Sequence, residues 1–230
     1  IRFMIVLNTV QFNLGFTIKK IARHLPKGGK TDSHYRRLQR FFAEARIDYD
    51  QLALMIYRLF GLGKVTLTID RTNWKWGKSN LNIFMLGVVY KGIAIPLYWH
   101  MLDKRGNTNH LERCELIERF IKQFGKDNLE MIVADREFVG EKWFNWLTNN
   151  HIPFAIRIKK NSKVKNHHGK LVQIKELLRH VSHQETYRHG RILTVDGCLV
   201  RVFAKRDKDY GLVIVATNQL ETVDAMTSYA

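Results

Sequence analysis

Lys64-Val65-Thr66-Leu67-Thr68-Ile69-Asp70 alternates apolar and polar side chains and ends on a carboxylate. Leu129-Glu130-Met131-Ile132-Val133-Ala134-Asp135 is a nearly continuous apolar run that ends the same way, 65 residues later (135 − 70 = 65). Alternation of period two marks a strand with one covered face, and a short apolar run without alternation marks a strand covered on both faces. Between them, a polar loop carrying Trp74 and Trp76 leads to apolar strands over Leu81 to Tyr90 and Ile93 to Tyr98, and Lys91-Gly92 makes the tight turn that joins these two. Asn107, Thr108 or Asn109 can cap a helix whose stripe is Leu111, Cys114, Ile117, Phe120, Ile121 and Phe124, with Gly125 as its stop. After Asp135 the pattern predicts a helix from about Gly140 to Asn149, with Trp143 and Trp146 as core residues, and then a strand from Phe154 to Ile158. The order from Lys64 to Lys159 is therefore β-β-β-α-β-α-β. That order implies an α/β fold, an antiparallel meander continued by a helical crossover into a mixed sheet covered by helices.

In this topology the crossover can return the chain beside the first strand, and Asp70 and Asp135 then emerge at one sheet edge. Asp at a strand end is also a common turn residue. Two close carboxylates with no basic partner between them repel, and a divalent cation removes that repulsion. Oxygen ligands on rigid strands suit Mg2+ or Mn2+, which can polarise a phosphate and activate water or a sugar hydroxyl.

Residues 1–62 read as a helical region. Ile18, Ile21, Ala22 and Leu25 share one face of a short helix that stops at Pro26. Ser33 is the expected cap of a second helix reaching about Ala45, with Tyr35, Leu38, Phe41 and Phe42 on its buried face and Arg36, Arg37 and Arg40 on the other. A third helix follows Asp50, with Leu52, Met55, Ile56 and Leu59 at helical spacing. Helix, turn and Arg-bearing helix is a DNA-docking layout, although a solvated basic face on an ordinary bundle has the same pattern. Residues 63–160 form the first part of the core, and 161–211 a basic β-rich insertion. Between Arg157 and Asp209 there are 14 Lys and Arg against 5 Asp and Glu, a balance of +9. Residues 212–230 hold a further strand, Leu212 to Ala216, and the opening of a helix at Thr222.

The 230 residues carry 38 Lys and Arg against 21 Asp and Glu, a net charge of +17, with 45% hydrophobic residues. That composition is globular, and its charge points to a polyanionic partner, nucleic acid first. Apolar runs such as Phe3 to Leu7 are far below the roughly 18 residues of a membrane span. Cys114 and Cys198 cannot build a disulfide framework, and a reducing cytosol is the expected compartment. His180, His183, His189 and Cys198 lack a Cys-x2-Cys pair, so solvent-facing or DNA-facing histidines are expected rather than zinc. Gly28-Gly29 and Gly61-x-Gly63 are not followed by Gly-Lys-Ser or Gly-Lys-Thr, and no nucleotide cofactor is expected.

Ile69-Asp70-Arg71-Thr72-Asn73-Trp74 and Ala134-Asp135-Arg136-Glu137-Phe138 resemble the two aspartate motifs of DDE-type bacterial insertion-sequence transposases, nearest to the family-four, cut-and-paste group. Ser33 to Phe42 is similar to the end of that group's N-terminal helical region. The resemblance covers nearly the whole chain. It implies a ribonuclease H-like core with a β-rich insertion, Asp70 and Asp135 as catalytic metal ligands, and Mg2+ (Mn2+ as substitute) as cofactor. It also implies double-stranded DNA as partner, both terminal inverted repeats and target DNA, contacted by Arg36, Arg37, Arg40, Arg136, Lys159 and Lys160. A homodimer on DNA in the bacterial cytoplasm follows from the same likeness. The family's third carboxylate is a Glu within Tyr-x2-Arg-x3-Glu-x6-Lys. Tyr229 stands where that Tyr is expected, which places the Arg, Glu and Lys beyond Ala230 and leaves two of three acids in this sequence. Glu221 precedes Tyr229 and does not fit the spacing, and Glu137 follows Asp135 too closely to share its strand face. The alternatives are a catalytically incomplete DNA-binding fragment acting as a transposition inhibitor, and another ribonuclease H-like nuclease.

Overall fold

The structure is a computed structural model that describes residues 17–25, 30–76, 79–102, 104, 106–183, 185–221 and 225–226, with backbone alone for 73–76 and 79–81. The chain divides into two compact units, residues 1–48 and 49–230. The helical region expected over 1–62 therefore splits, and its third helix belongs to the second unit.

In the first unit, α1 (Ile18–His24) and α2 (Thr31–Glu44) bury Ile21, Ala22 and Leu38 against one another, with Ile18, Leu25 and Tyr35 around them. Thr17 caps α1 by accepting from the Lys20 N–H at 3.2 Å. The second helix begins two residues before the expected Ser33 cap, with Lys30 in the cap position and no side-chain bond there. Phe41 and Phe42, expected on its buried face, are 39% and 49% exposed, and their rings meet edge to face at 5.4 Å. Leu38 and Tyr35 belong to the cluster that α1 shares, whereas Phe41 and Phe42 do not.

The second unit is built on one sheet. Its strands are β1 (Val65–Trp76), β2 (Ser79–Tyr90), β3 (Ile93–Leu102), β4 (Leu129–Ala134), β5 (Phe154–Arg157), β8 (Tyr187–Arg188), β9 (Leu193–Val195), β10 (Cys198–Asp207) and β11 (Gly211–Thr217). The path across it is β3-β2-β1-β4-β5-β11-β10-β8, with β9 on β10. β1, β2 and β3 are an antiparallel meander, and β1, β4 and β5 run parallel. This is the ribonuclease H-like order. The β2–β3 turn forms because Lys91 (φ 49°) and Gly92 (φ 79°) both take left-handed backbone. β6 (Lys163–Lys165) and β7 (Leu171–Gln173) form a separate two-stranded ribbon. The expected insertion, 161–211, is thus only partly apart from the core: β10, inside it, pairs with β11 and extends the main sheet.

Helices cover one face. α3 (Tyr49–Leu59) buries Ala53 and packs Ile56 and Tyr57 on the core, whereas Met55 and Leu59, expected inward, are 46% and 64% exposed. α4 (His110–Phe124) begins with a complete capping box, Asn109 with Glu112, and ends at Gly125, φ 86°. Its covered residues are Cys114, Leu116, Ile117 and Phe120, and Leu111 points out at 65% exposure. Asn109→Ala should cost about 1 kcal/mol of unfolding stability by chemical denaturation. Arg119 and Gln123 of α4 donate to the side chain and backbone of Asp50 at 2.7 Å each, fastening α3. The Arg119 hydrogen bond holds the Asp50 carboxyl below its ordinary value. α5 (Glu141–Asn149) buries Trp143, Phe144 and Leu147, and Trp146 stacks on Trp143 at 5.6 Å.

The opposite face carries a smaller cluster, Val133, Ala155, Phe203, Val213, Val215 and Ala225. The chain therefore returns to that face after β11. Tyr229 lies outside the described residues.

Candidate active site

Thr66, Thr68 and Asp70 point away from the face that buries Val65, Leu67 and Ile69. β4 lies beside β1 with Thr68 level with Val133 and Ile69 level with Ala134. Asp70 is the next residue of β1 after that last pair, and Asp135 is the first residue past the end of β4, so both follow the same rung of the ladder. Both side chains are exposed, on the face of Val133 and Ala225.

Asp70 reaches the edge by a different route from the expected one. β1 does not stop there but runs on to Trp76, paired with β2, so the stretch read as a polar loop is strand. The side chains of Trp74 and Trp76 lie outside the described residues. β4 ends at Ala134, and this frees the β4 side of Asp70. The edge is made by the shorter partner.

Asp135 heads a turn in which the Phe138 N–H donates to the Asp135 carbonyl at 2.9 Å. Phe138, 1% exposed, plugs that turn into the core beside Phe84 at 5.9 Å. Arg113, buried on α4, donates to the carbonyls of Glu137 and Val139 at 3.4 Å each and to the Thr108 hydroxyl and carbonyl at 2.9 and 3.0 Å. Burial pulls the Arg113 pKa down, with Glu137 and Glu112 acting against that. Arg71 donates to Glu137 at 2.9 Å and to Asn107 at 3.1 Å, so the residue after Asp70 is tied to the turn after Asp135. Glu137 is thereby engaged on the helix-covered face. Arg113→Met leaves those acceptors without their donor and should lower unfolding stability by about 2–4 kcal/mol, measured by urea titration.

On the side of Asp135 away from β1, Arg157 approaches it. This end residue of β5 brings Nη1 to 3.5 Å from Asp135 Oδ1. Its guanidinium also lies 5.7 Å from the centre of the Tyr210 ring. Tyr210 is held by the 207–210 turn, where Asp207 accepts from the N–H groups of Asp209 and Tyr210 at 2.8 and 2.9 Å. Those two bonds hold the Asp207 carboxyl below its ordinary value.

Arg36, Arg37 and Arg40 are exposed on α2, and Arg136, Lys159 and Lys160 are exposed around the edge that carries Asp70 and Asp135. Lys160 Nζ reaches the Tyr210 carbonyl at 3.5 Å. His189, expected to face solvent or DNA, is half-buried, and burial lowers its pKa. Cys198 Sγ lies 3.3 Å from the Thr148 hydroxyl.

Arg113 and Arg157 were the residues that sequence reasoning passed over. Each had a signal. Arg113 sits at helical spacing with Ile117, Phe120 and Phe124, and Arg157 interrupts an apolar strand.

The donor chemistry fits Mg2+, which keeps several waters and takes one or two carboxylates together with substrate phosphates. Asp70 and Asp135 supply two such groups, hard, exposed and on one face. Among the described residues no group of three or more His, Cys, Asp or Glu forms a cation site. Nor, among them, is any helix long and apolar enough to cross a membrane.

The family described as Transposase DDE domain matches residues 62–222. A comparison with curated proteins finds no match. Among solved structures 13 chains match. One is the cryo-EM structure of a piggyBac transposase synaptic complex with hairpin DNA, at TM-score 0.45 and 12% identity over 99% of this chain and 53% of that one. The chain spans about half the length of that relative.

Proposed function

Because the chain belongs to the transposase DDE domain family, we propose that it takes part in cut-and-paste transposition of an insertion sequence, through metal-dependent DNA strand cleavage and transfer. What supports this reading is that Asp70 and Asp135 each directly follow the last paired rung of the parallel strands β1 and β4, Ile69 with Ala134. Mg2+, or Mn2+ in its place, is held by these two carboxylates. When bound, such an ion supplies Lewis-acid polarisation of a phosphate and a more acidic water.

The chain's own residues do the rest. Phe138, Arg113 and the Arg71–Glu137 pair fix the turn that aims Asp135. Arg157 neutralises Asp135 when no cation does. Arg136, Lys159 and Lys160 flank the acids and bind the phosphates on either side of the bond to be cut. Arg36, Arg37 and Arg40 grip the terminal inverted repeat, with one copy of the chain on each end in a homodimer.

One feature favours a second reading, binding without cleavage: the Arg157 contact on Asp135. Incubating the chain with end-containing DNA in Mg2+ separates the readings. Cleavage supports the transposase. Salt-sensitive binding without cleavage supports an inhibitory DNA-binding protein. Absence of both overturns each. Replacing Arg36, Arg37 and Arg40 together by Ala should weaken DNA binding and flatten its salt dependence, by about 0.9 in log–log slope for each phosphate no longer neutralised, in fluorescence titrations at several salt concentrations.

A further inference from the structure

Past the edge that bears Asp135 and Arg157, the 49–230 unit has a cavity of about 370 Å³ lined by Lys160, Lys175, Glu176, Arg179, Arg206, Gly211 and Leu212. We propose that this cavity is a binding site for a backbone phosphate of the DNA being processed. The proposal rests on the transposase reading above and adds a site to it.

Four cations face one carboxylate there. That carboxylate, Glu176, is already engaged, accepting from the Gln173 N–H at 3.3 Å in a capping box on the short helix Ile174–Leu177. The wall is built rather than draped. The Lys175 N–H donates to the Lys160 carbonyl at 3.2 Å, and the Ile174 N–H to the Ser162 carbonyl at 2.8 Å. Ile174, Leu178 and Val181 lie buried beneath. Arg206 is half-buried, and its Nε donates to the Val181 carbonyl at 2.7 Å. Gly211, at φ 66°, takes the left-handed backbone that brings the start of β11 beside the Lys160 ammonium.

The position selects DNA among phosphate sources. β5 and β11 are antiparallel neighbours, with Arg157 level with Val215. Lys160 follows Arg157 by three residues, in the turn that leaves β5 at the same edge. A chain of neighbours joins the two places, from Asp135 to Arg157, to Tyr210, to Lys160. A strand whose phosphate sits at Asp135 continues along its backbone, and this line of neighbours brings one of its next phosphates to the cavity.

The test is DNA binding by the chain carrying Lys175→Gln and Arg179→Gln, against the unsubstituted chain, from about 50 to 300 mM salt, with circular dichroism melting to establish folding. The expected result is unchanged melting, affinity lower by about fivefold at about 150 mM, and a log–log salt slope smaller by about 0.9. Lys175→Arg with Arg179→Lys should restore both. Equal affinity and slope in the Gln variant overturn the cavity assignment while leaving the transposase reading in place. Salt-independent binding by the unsubstituted chain instead overturns the reading on which it rests. Inorganic phosphate is the third arm. If it raises the melting temperature of the unsubstituted chain alone while DNA binding is equal in both, the site takes free anions and the DNA assignment fails. If the Gln variant does not fold, Arg179→Gln alone, exposed and outside any helix, gives the same comparison.

Discussion

Asp70→Asn is expected to slow Mg2+-dependent cleavage of end-containing DNA by at least about a thousandfold, roughly 4 kcal/mol of transition-state stabilisation. The side chain keeps its shape and loses its charge. The backbone has little stake in the exchange, because Asp70 Oδ1 accepts from its neighbour's N–H, Arg71, at 2.7 Å, and an amide oxygen accepts as well. Asp135→Asn should be as severe. It also releases Arg157, whose charge then faces the phosphate. Binding moves the other way. In chelator, each substitution removes a negative charge beside a polyanion, so DNA affinity should hold or rise. Loss of cleavage with retained binding separates a metal-ligand role from a folding defect. Parallel loss of both, or full cleavage by the double variant, speaks against it.

Phe138→Ala is expected to lower unfolding stability by about 3–5 kcal/mol and the melting temperature by roughly 10 °C. Phe138 is essentially fully buried, packs on Phe84, and has the Arg113 guanidinium 5.2 Å from its ring centre. Its ring is the anchor of the turn that starts at Asp135. The cavity left by Ala also loosens the carbonyls that Arg113 holds, so cleavage should fall even in the fraction that stays folded. Phe138→Leu, which refills most of the volume, should recover most of the stability. Calorimetry on the three proteins reads this directly.

The sheet order was legible because period two at 65–70, a short apolar run at 129–134 and a capped helix between them leave few topologies that bury all three. Asp135 was legible for the same reason, as the first polar residue after a buried run. The length of β1 was not. Trp74 and Trp76 alternate with polar residues in a stretch that reads equally as loop, and only pairing with β2 decides for strand. Periodicity likewise cannot say how wide a helix's covered face is. Leu59 and Leu111 fit their stripes and still point outward, because no described element reaches them. Arg157 is a long-range case. Its meaning depends on β5 lying next to β4, with Ile156 level with Ala134, and nothing near it in sequence reveals that. The division at residue 48 was hidden by three consecutive helices of similar character.

Whether Asp70 and Asp135 grip one cation is open to a mapping experiment that needs no turnover. Fe2+ in place of Mg2+, with ascorbate and peroxide, cuts the polypeptide next to where it is bound. Cuts clustered at residues 70 and 135 together, suppressed by excess Mg2+ and absent from Asp70→Asn, are the predicted result. Cuts near one aspartate alone, cuts elsewhere, or a pattern that survives Asp70→Asn would contradict a shared site.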